Sequence, residues 1–262
     1  MSETAFDLSL VWPAFIAGLL VTATHVPLGI QVLGRGIVFI DLAVAQIAGL
    51  GVIVADWAGF DPHGWLVQAS ALSAALAGAL LLTWTEKLWP DVQEAVIGVM
   101  FVLASNGAIL LLASNPHGAE HLRNLLVGQI LWVNAERLPV EALIYAGIIG
   151  VWFKFGERIG RIGFYVLFAC AVTVSVQLVG LYLVFITLIV PALATRRFQR
   201  RRLWLCYALG ALGYGVGLVL SMLTDLPPGP LIVYSMTTLG LLLFLGGPGS
   251  SSSAAQGAPE FR

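Results

Sequence analysis

Residues 162–194, IGFYVLFACAVTVSVQLVGLYLVFITLIVPALA, contain no Asp, Glu, Lys, Arg or His. A run so long and so apolar belongs in lipid. There, no water reaches the hydrocarbon core, so each spanning segment must satisfy its own backbone polar groups, and long apolar runs mean helices. The whole chain agrees. It is 59% hydrophobic and only 10% charged, with a mean hydropathy of +0.93, whereas a soluble domain carries about 25% charged residues. Other apolar runs predict helices at about 11–33, 37–58, 63–83, 93–113, 138–153, 203–222 and 229–246. The run 162–194 exceeds one perpendicular crossing of a core about 30 Å thick, and Val179-Gly180 offers a break near its middle. It is therefore read as two short helices, and the fold expected is an all-α polytopic membrane bundle of 8–9 transmembrane helices.

The basic residues test that split, because Lys and Arg concentrate on the cytoplasmic side. Nine crossings with an external N-terminus and a cytoplasmic C-terminus leave only Arg123 and Arg137 of the 13 basic residues outside. Treating 162–194 as one crossing would also move Lys154, Arg158 and Arg161 outside. The cluster Arg196 to Arg202 contributes most of the asymmetry and reads as a topology anchor near the lipid headgroups. The net charge of −1 carries no signal for nucleic acid, and no such partner is expected. Cys170 and Cys206 lie in apolar stretches without CxxC spacing, so they read as packing thiols. The first apolar run follows an acidic segment and lacks a basic n-region, so it is read as retained. Small residues in ASALSAALAGAL (69–80) and at Gly210, Gly213, Gly215 and Gly217 predict close helix packing. One membrane domain, 1–246, is expected, followed by a flexible Gly/Ser/Ala/Pro tail over 247–262.

Ionisable groups inside a span are costly and so mark function first. His25 falls about mid-span and precedes Pro27 and Gly29, which loosen the helix. It has two readings, a metal or pathway ligand and an interhelical hydrogen bond. Asp41 lies in the second helix, and it needs either a cation in transit or a basic neighbour such as Arg35. Gln46, five residues on, sits about 140° round the helix and does not share its face. Glu94 in a first turn is accounted for by the helix dipole. The external segment NPHGAEH (115–121) places His117 and His121 at i, i+4 with Glu120 beside them, and His63 in DPHG (61–64) is on the same side. Three imidazoles and a carboxylate suit zinc, and manganese or iron less selectively. The bland reading is that these loop histidines are simply solvated. No Walker loop, HExxH, nucleophile elbow or GxGxxG is present, so any ATP hydrolysis is expected on another chain.

Four stretches carry a resemblance. HVPLGIQVLGRGIVFIDLAVAQIAGLGV (25–52), EAVIGVMFVLASNGAILLLASNPHGAEHLRNLLVGQILWV (94–133), QLVGLYLVFITLIVPALATRRF (177–198) and DLPPGPLIV (225–233) occur in the order and spacing of permease subunits of bacterial ABC importers for zinc, manganese and iron. The chain resembles that family over most of 11–246. The resemblance implies a helical permease that dimerises, engages a cytoplasmic ABC ATPase and receives metal from an extracytoplasmic metal-binding protein at the inner membrane. Asp41 matches the family's intramembrane Asp, while Gln46 stands where a His usually follows. The segment GERIGRIG (156–163) is shorter than the family's usual ATPase-docking element, which puts the contact on a reduced surface at Lys154, Glu157, Arg158 and Arg161.

The reading that follows is a permease moving divalent zinc, manganese or iron by alternating access, with no permanently bound cofactor. His63, His117, Glu120 and His121 would receive the ion outside, and His25 and Asp41 would line its path. The alternatives are a permease for a metal chelate or small solute, and a non-transporting scaffold derived from such permeases.

Overall fold

The structure, a computed structural model, describes residues 8–60, 64–112, 130–155, 160–198 and 200–247. Among these, nine α-helices follow one another: α1 (Leu8–Arg35), α2 (Ile40–Trp57), α3 (Trp65–Leu88), α4 (Gln93–Leu112), α5 (Leu138–Phe155), α6 (Arg161–Val179), α7 (Leu181–Ala194), α8 (Arg202–Thr224) and α9 (Pro228–Leu245). Single 3₁₀ turns occur at Pro90–Val92 and Ile130–Trp132, and no strand is found among the described residues. Among the described residues, eight helices are long and apolar enough to cross a bilayer. The ninth, α7, has 14 residues, or about 21 Å of rise.

The long apolar run breaks at Gly180, as expected. Its φ of 88° and ψ of 161° place it in a region open essentially to glycine. No backbone group is stranded there: the Gly180 amide donates to the Val176 carbonyl at 2.9 Å, and the Gly180 carbonyl accepts from Val184 at 3.2 Å. The chain therefore reverses its helical path inside the apolar zone without exposing polar backbone to lipid.

Burial separates a core from a periphery. Helices α1, α2 and α6 bury more than half of their spanning windows, while α4, α5 and α9 bury less than a quarter. Helix α1 packs against α7 and α8, α2 lies between α3 and α4, and α9 covers α8. Small residues allow these approaches. A methyl group at Gly29 would collide with the Leu188 carbonyl of α7, and one at Gly217 with the Ile232 backbone of α9. On α3, Ala71, Ala75 and Ala79 are buried at four-residue intervals, and Ser70 Oγ donates to the Gly51 carbonyl of α2 at 2.7 Å.

Polar ties supplement this packing. Pro27 has no N–H to offer the Ala23 carbonyl four residues back, and Tyr207 Oη of α8 donates to that carbonyl at 3.1 Å. Tyr145 and Ser175 hydroxyls meet at 2.6 Å between α5 and α6. Tyr214 and Thr187 meet at 3.0 Å between α8 and α7. Both cysteines are free thiols, and Cys206 Sγ packs against Thr195 Oγ1 at 2.9 Å.

One end of the bundle is basic. The end of α1, the end of α3, the α5–α6 corner and the α7–α8 turn bring Arg35, Lys87, Lys154, Arg161 and the Arg196–Arg202 cluster there. Arg35 lies over the Phe164 ring, 4.1 Å from its centre, and Arg161 pairs with Glu86 at 3.4 Å.

Candidate cation site

The strongest anomaly lies at the basic end, where α2 and α4 begin. Asp41 occupies the first turn of α2, against the positive end of the helix dipole, which favours a carboxylate. It is also fully buried, and among the described residues neither carboxylate oxygen makes a hydrogen bond of good geometry; the nearest donors are the amides of its own first turn, Asp41 and Leu42. An ionised carboxylate buried without a partner costs several kcal/mol.

Arg35, the basic neighbour offered as one of two alternative partners for Asp41, does not pair with it. Its guanidinium is spent on the Phe164 face, and the one ion pair among the described residues joins Arg161 to Glu86. The reason is geometric: α1 ends at Arg35 and the chain turns through Gly36, whose φ is 72°, before α2 begins. The charged neighbour in place is instead Glu94, near enough for the two like charges to repel.

Glu94 is the residue whose role sequence reasoning underestimated. It stands in the first turn of α4, as the dipole account requires, but its Oε1 also accepts the Phe39 amide at 3.3 Å. Phe39 is the N-cap of α2 and supplies no side-chain cap of its own. Glu94 thus caps a neighbouring helix across the α2–α4 contact, while its Oε2 is buried without a partner. Asp41, in the first turn of α2, and Glu94, which reaches the N-cap of the same helix, thus place two carboxylates at one helix start. Phe39, Leu42, Gly98, Val99 and Val102 cover this region from the periphery, lining an open apolar groove of about 600 Å³ between α2 and α4. The signal available in the sequence was the shared end of the bundle, since Asp41 and Glu94 both open helices that start at the same face.

His25 is fully buried in α1. Its Nδ1 lies 3.1 Å from the Val21 carbonyl and 3.0 Å from Thr24 Oγ1, so the imidazole folds back on its own helix. The interhelical hydrogen bond, one of its two readings, is absent among the described residues, and Nε2 has no partner among them. Gln46 is buried and borders a small internal cavity of about 10 Å³ with Gly49, Ala108, Val176 and Leu181, room for about one water.

Among the described residues no three His, Cys, Asp or Glu side chains converge on one point. His63, His117, Glu120 and His121 lie outside the described residues, as do Glu157 and Arg158. Lys154 is exposed, with Nζ 5.4 Å from the centre of the Phe155 ring. Arg161 is half-exposed and held by Glu86.

Comparison with known proteins agrees with this architecture. The model of the ABC 3 transport family matches residues 7–159 and 157–246. The chain is similar to the high-affinity zinc uptake system membrane protein of Haemophilus influenzae, 22% identical over 260 residues, covering 89% of this chain and 96% of that one. It is also similar to the probable iron transport system membrane protein of the same organism, 26% identical over 201 residues, covering 68% and 71%. Among solved structures, PsaBC from Streptococcus pneumoniae in complex with Fab superimposes with a TM-score of 0.75 at 19% identity, covering 92% of this chain and 93% of that one, a likeness of fold. With a family match running across nearly all of its membrane-spanning helices, the chain belongs to the ABC 3 transport family.

Proposed function

We propose that this protein is the membrane-spanning permease of an ATP-driven transporter for divalent metal ions, and that Asp41 and Glu94 form the carboxylate part of its cation site. The observation that carries the reading is Asp41, a fully buried carboxylate in a spanning helix with no side-chain or cationic partner among the described residues. Such a group is retained at a cost, and a cation in transit offsets it. Zinc and iron in the names of similar proteins support a metal cargo.

Two carboxylates do not complete the coordination of a divalent ion, which takes four to six or more ligands. Asp41 is fully buried within its own protomer and Gln46 borders a separate cavity, so water and main-chain carbonyls are the further oxygen donors. Glu94 then has two partners. Its Oε2 can take an ion while Oε1 keeps the Phe39 amide, and a cation on the carboxylate draws charge from that hydrogen bond and weakens the α2–α4 contact. Ion occupancy and helix separation are linked through that one carboxylate. This is a local element of alternating access.

The remaining assignments belong to the same proposal. His63, His117, Glu120 and His121 receive the ion outside from an extracytoplasmic metal-binding protein, and His25 lines the path through Nε2. A cytoplasmic ABC ATPase engages Lys154, Glu157, Arg158 and Arg161 at the basic end, with the N-terminus outside the inner membrane.

The test is uptake of labelled zinc, manganese and iron in cells expressing the permease with its ATPase and binding protein. Asp41→Asn and Glu94→Gln are expected to abolish uptake at limiting metal while the protein remains in the membrane. Wild-type uptake by both variants would refute the site. Competition of labelled chelate by free metal separates a bare-ion cargo from a chelate.

A further inference from the structure

Arg196, Arg197, Arg200, Arg201 and Arg202 fall between α7 and the first residue of α8. A topology anchor needs only their charge, but the structure orders them beyond that. The guanidinium carbons of Arg196 and Arg197 lie 5.2 and 4.2 Å from the centre of the Phe244 ring on α9. Arg202 Nη2 donates to the Ala192 carbonyl at the end of α7, at 3.2 Å. A guanidinium held by cation–π attraction to a ring spends no N–H hydrogen bond on it, so its donors stay available for an anion. Arg200 and Arg201 are exposed.

Among the described residues no carboxylate pairs with this group. The ion pair found among the described residues is Glu86–Arg161, and the sequence has no Asp or Glu between Glu157 and Asp225. Asp225 sits at the far end of α8, about 35 Å away along the helix. Directly beneath the arginines the terminal turns of the three helices expose apolar side chains: Leu193 on α7, Trp204 on α8 (76% exposed), and Leu241 and Leu245 on α9. An exposed Trp at the end of a spanning helix marks the headgroup level. The patch thus joins oriented guanidinium donors to an apolar surface at acyl-chain depth.

We infer that the α7–α8 turn is a binding site for the phosphodiester headgroup of an anionic lipid in the adjoining leaflet. Guanidinium edges match phosphate oxygens, often in bidentate fashion, while the attached acyl chains cover Trp204 and its apolar neighbours. A soluble acidic partner could meet the arginines but would leave that apolar surface to other lipids. The inference does not depend on the nature of the cargo.

The experiment is native mass spectrometry of the purified full chain in micelles containing equal amounts of phosphatidylglycerol and phosphatidylcholine. Preferential retention of phosphatidylglycerol is expected. Each arginine near an anionic headgroup contributes about fivefold, so Arg200→Gln with Arg201→Gln should weaken retention by about 25-fold, and Arg200→Lys with Arg201→Lys should keep most of it. Unchanged circular dichroism and melting of the Gln variant confirm that it is folded. Equal retention of the two lipids, or undiminished phosphatidylglycerol retention by a folded Gln variant, overturns the inference. If that variant keeps the lipid but loses co-purification of the ATPase, the turn is a protein contact instead. Metal uptake is measured separately, so failure here leaves the transport reading intact.

Discussion

Asp41→Asn separates a cation site from a structural carboxylate because its two readouts move in opposite directions. The substitution preserves size and changes charge. In the native fold the carboxylate is fully buried, has no side-chain partner on either oxygen among the described residues and is repelled by Glu94. Its ionised form therefore costs several kcal/mol. An amide in the same place leaves unmet hydrogen bonds worth about 1–3 kcal/mol, so the variant is expected to be equal to wild type or more stable by about 1–2 kcal/mol. At this chain length such a gain raises the melting temperature by about 2–8 °C. Cation affinity moves the other way. Removing one member of a buried charged contact costs about 3–5 kcal/mol, or about two to three and a half decades in the dissociation constant. The assay is thermal unfolding of purified protein with and without manganese or zinc, beside uptake in cells. Wild-type protein should be stabilised by metal, and the variant should melt at or above apo wild type without responding to metal. A variant that melts lower and transports normally would show that Asp41 holds the fold and carries no ion.

Replacing Gln46 with His adds an imidazole beside the internal cavity, and imidazole favours zinc over manganese. A roughly tenfold rise in zinc competition against labelled manganese, about 1.4 kcal/mol, is expected, and an unchanged ratio removes Gln46 from the path. Gly180→Ala forces a side chain into φ 88°, ψ 161° and should destabilise by about 1–3 kcal/mol. Gly147→Ala, in α5 with open space around the new methyl, should be neutral or gain about 0.4–1 kcal/mol, both read from chemical unfolding in micelles. Tyr207→Phe removes the donor to Ala23 and should cost about 0.6 kcal/mol, the average for such contacts in membranes. In a Pro27→Ala background, where a backbone N–H can supply Ala23, that cost should shrink towards zero in a double-mutant cycle.

The bundle was legible because lipid imposes few choices. The uncharged run 162–194 demanded two helices, and Gly180 was the position able to join them. The neighbouring position Val179 could not adopt that backbone. The basic residues also sorted as expected, since helix alternation puts Arg35, Lys87, Lys154, Arg161 and the 196–202 cluster at one end. What the sequence could not show was pairing. Arg35 is close to Asp41 along the chain, yet a turn and the buried Phe164 ring take its guanidinium elsewhere. Glu94 is 55 residues from Phe39, and the hydrogen bond between them exists only because α4 packs beside α2. His25 read as a residue reaching across helices, whereas a mid-helix carbonyl one turn back satisfies Nδ1 first. Local periodicity reports which face a residue occupies, and it says nothing of which helix that face meets.

Taken together, the packing and polar groups divide the bundle into a firm part and a loose part. Helices α1, α7, α8 and α9 are joined by backbone approaches at Gly29 and Gly217 and by hydroxyl ties through Tyr207 and Tyr214, so they move at a cost spread over many contacts. Helix α4 is mostly exposed, and the polar side-chain tie observed between it and α2 is the Glu94 cap on Phe39. A hydrogen bond to a charged group contributes about 1.5–3 kcal/mol, comparable with the differential binding needed to shift a two-state equilibrium by one to two decades. A divalent ion held by Glu94 therefore acts on the polar side-chain link observed between α2 and α4, beside the buried Asp41. If that is how occupancy is sensed, Glu94→Gln, which keeps the acceptor for Phe39 but lowers ion affinity, should leave the α2–α4 distance fixed when metal is added. Spin labels at Leu42 and Val99 would report that distance, and a metal-dependent change in the variant equal to that in wild type would place the sensing elsewhere.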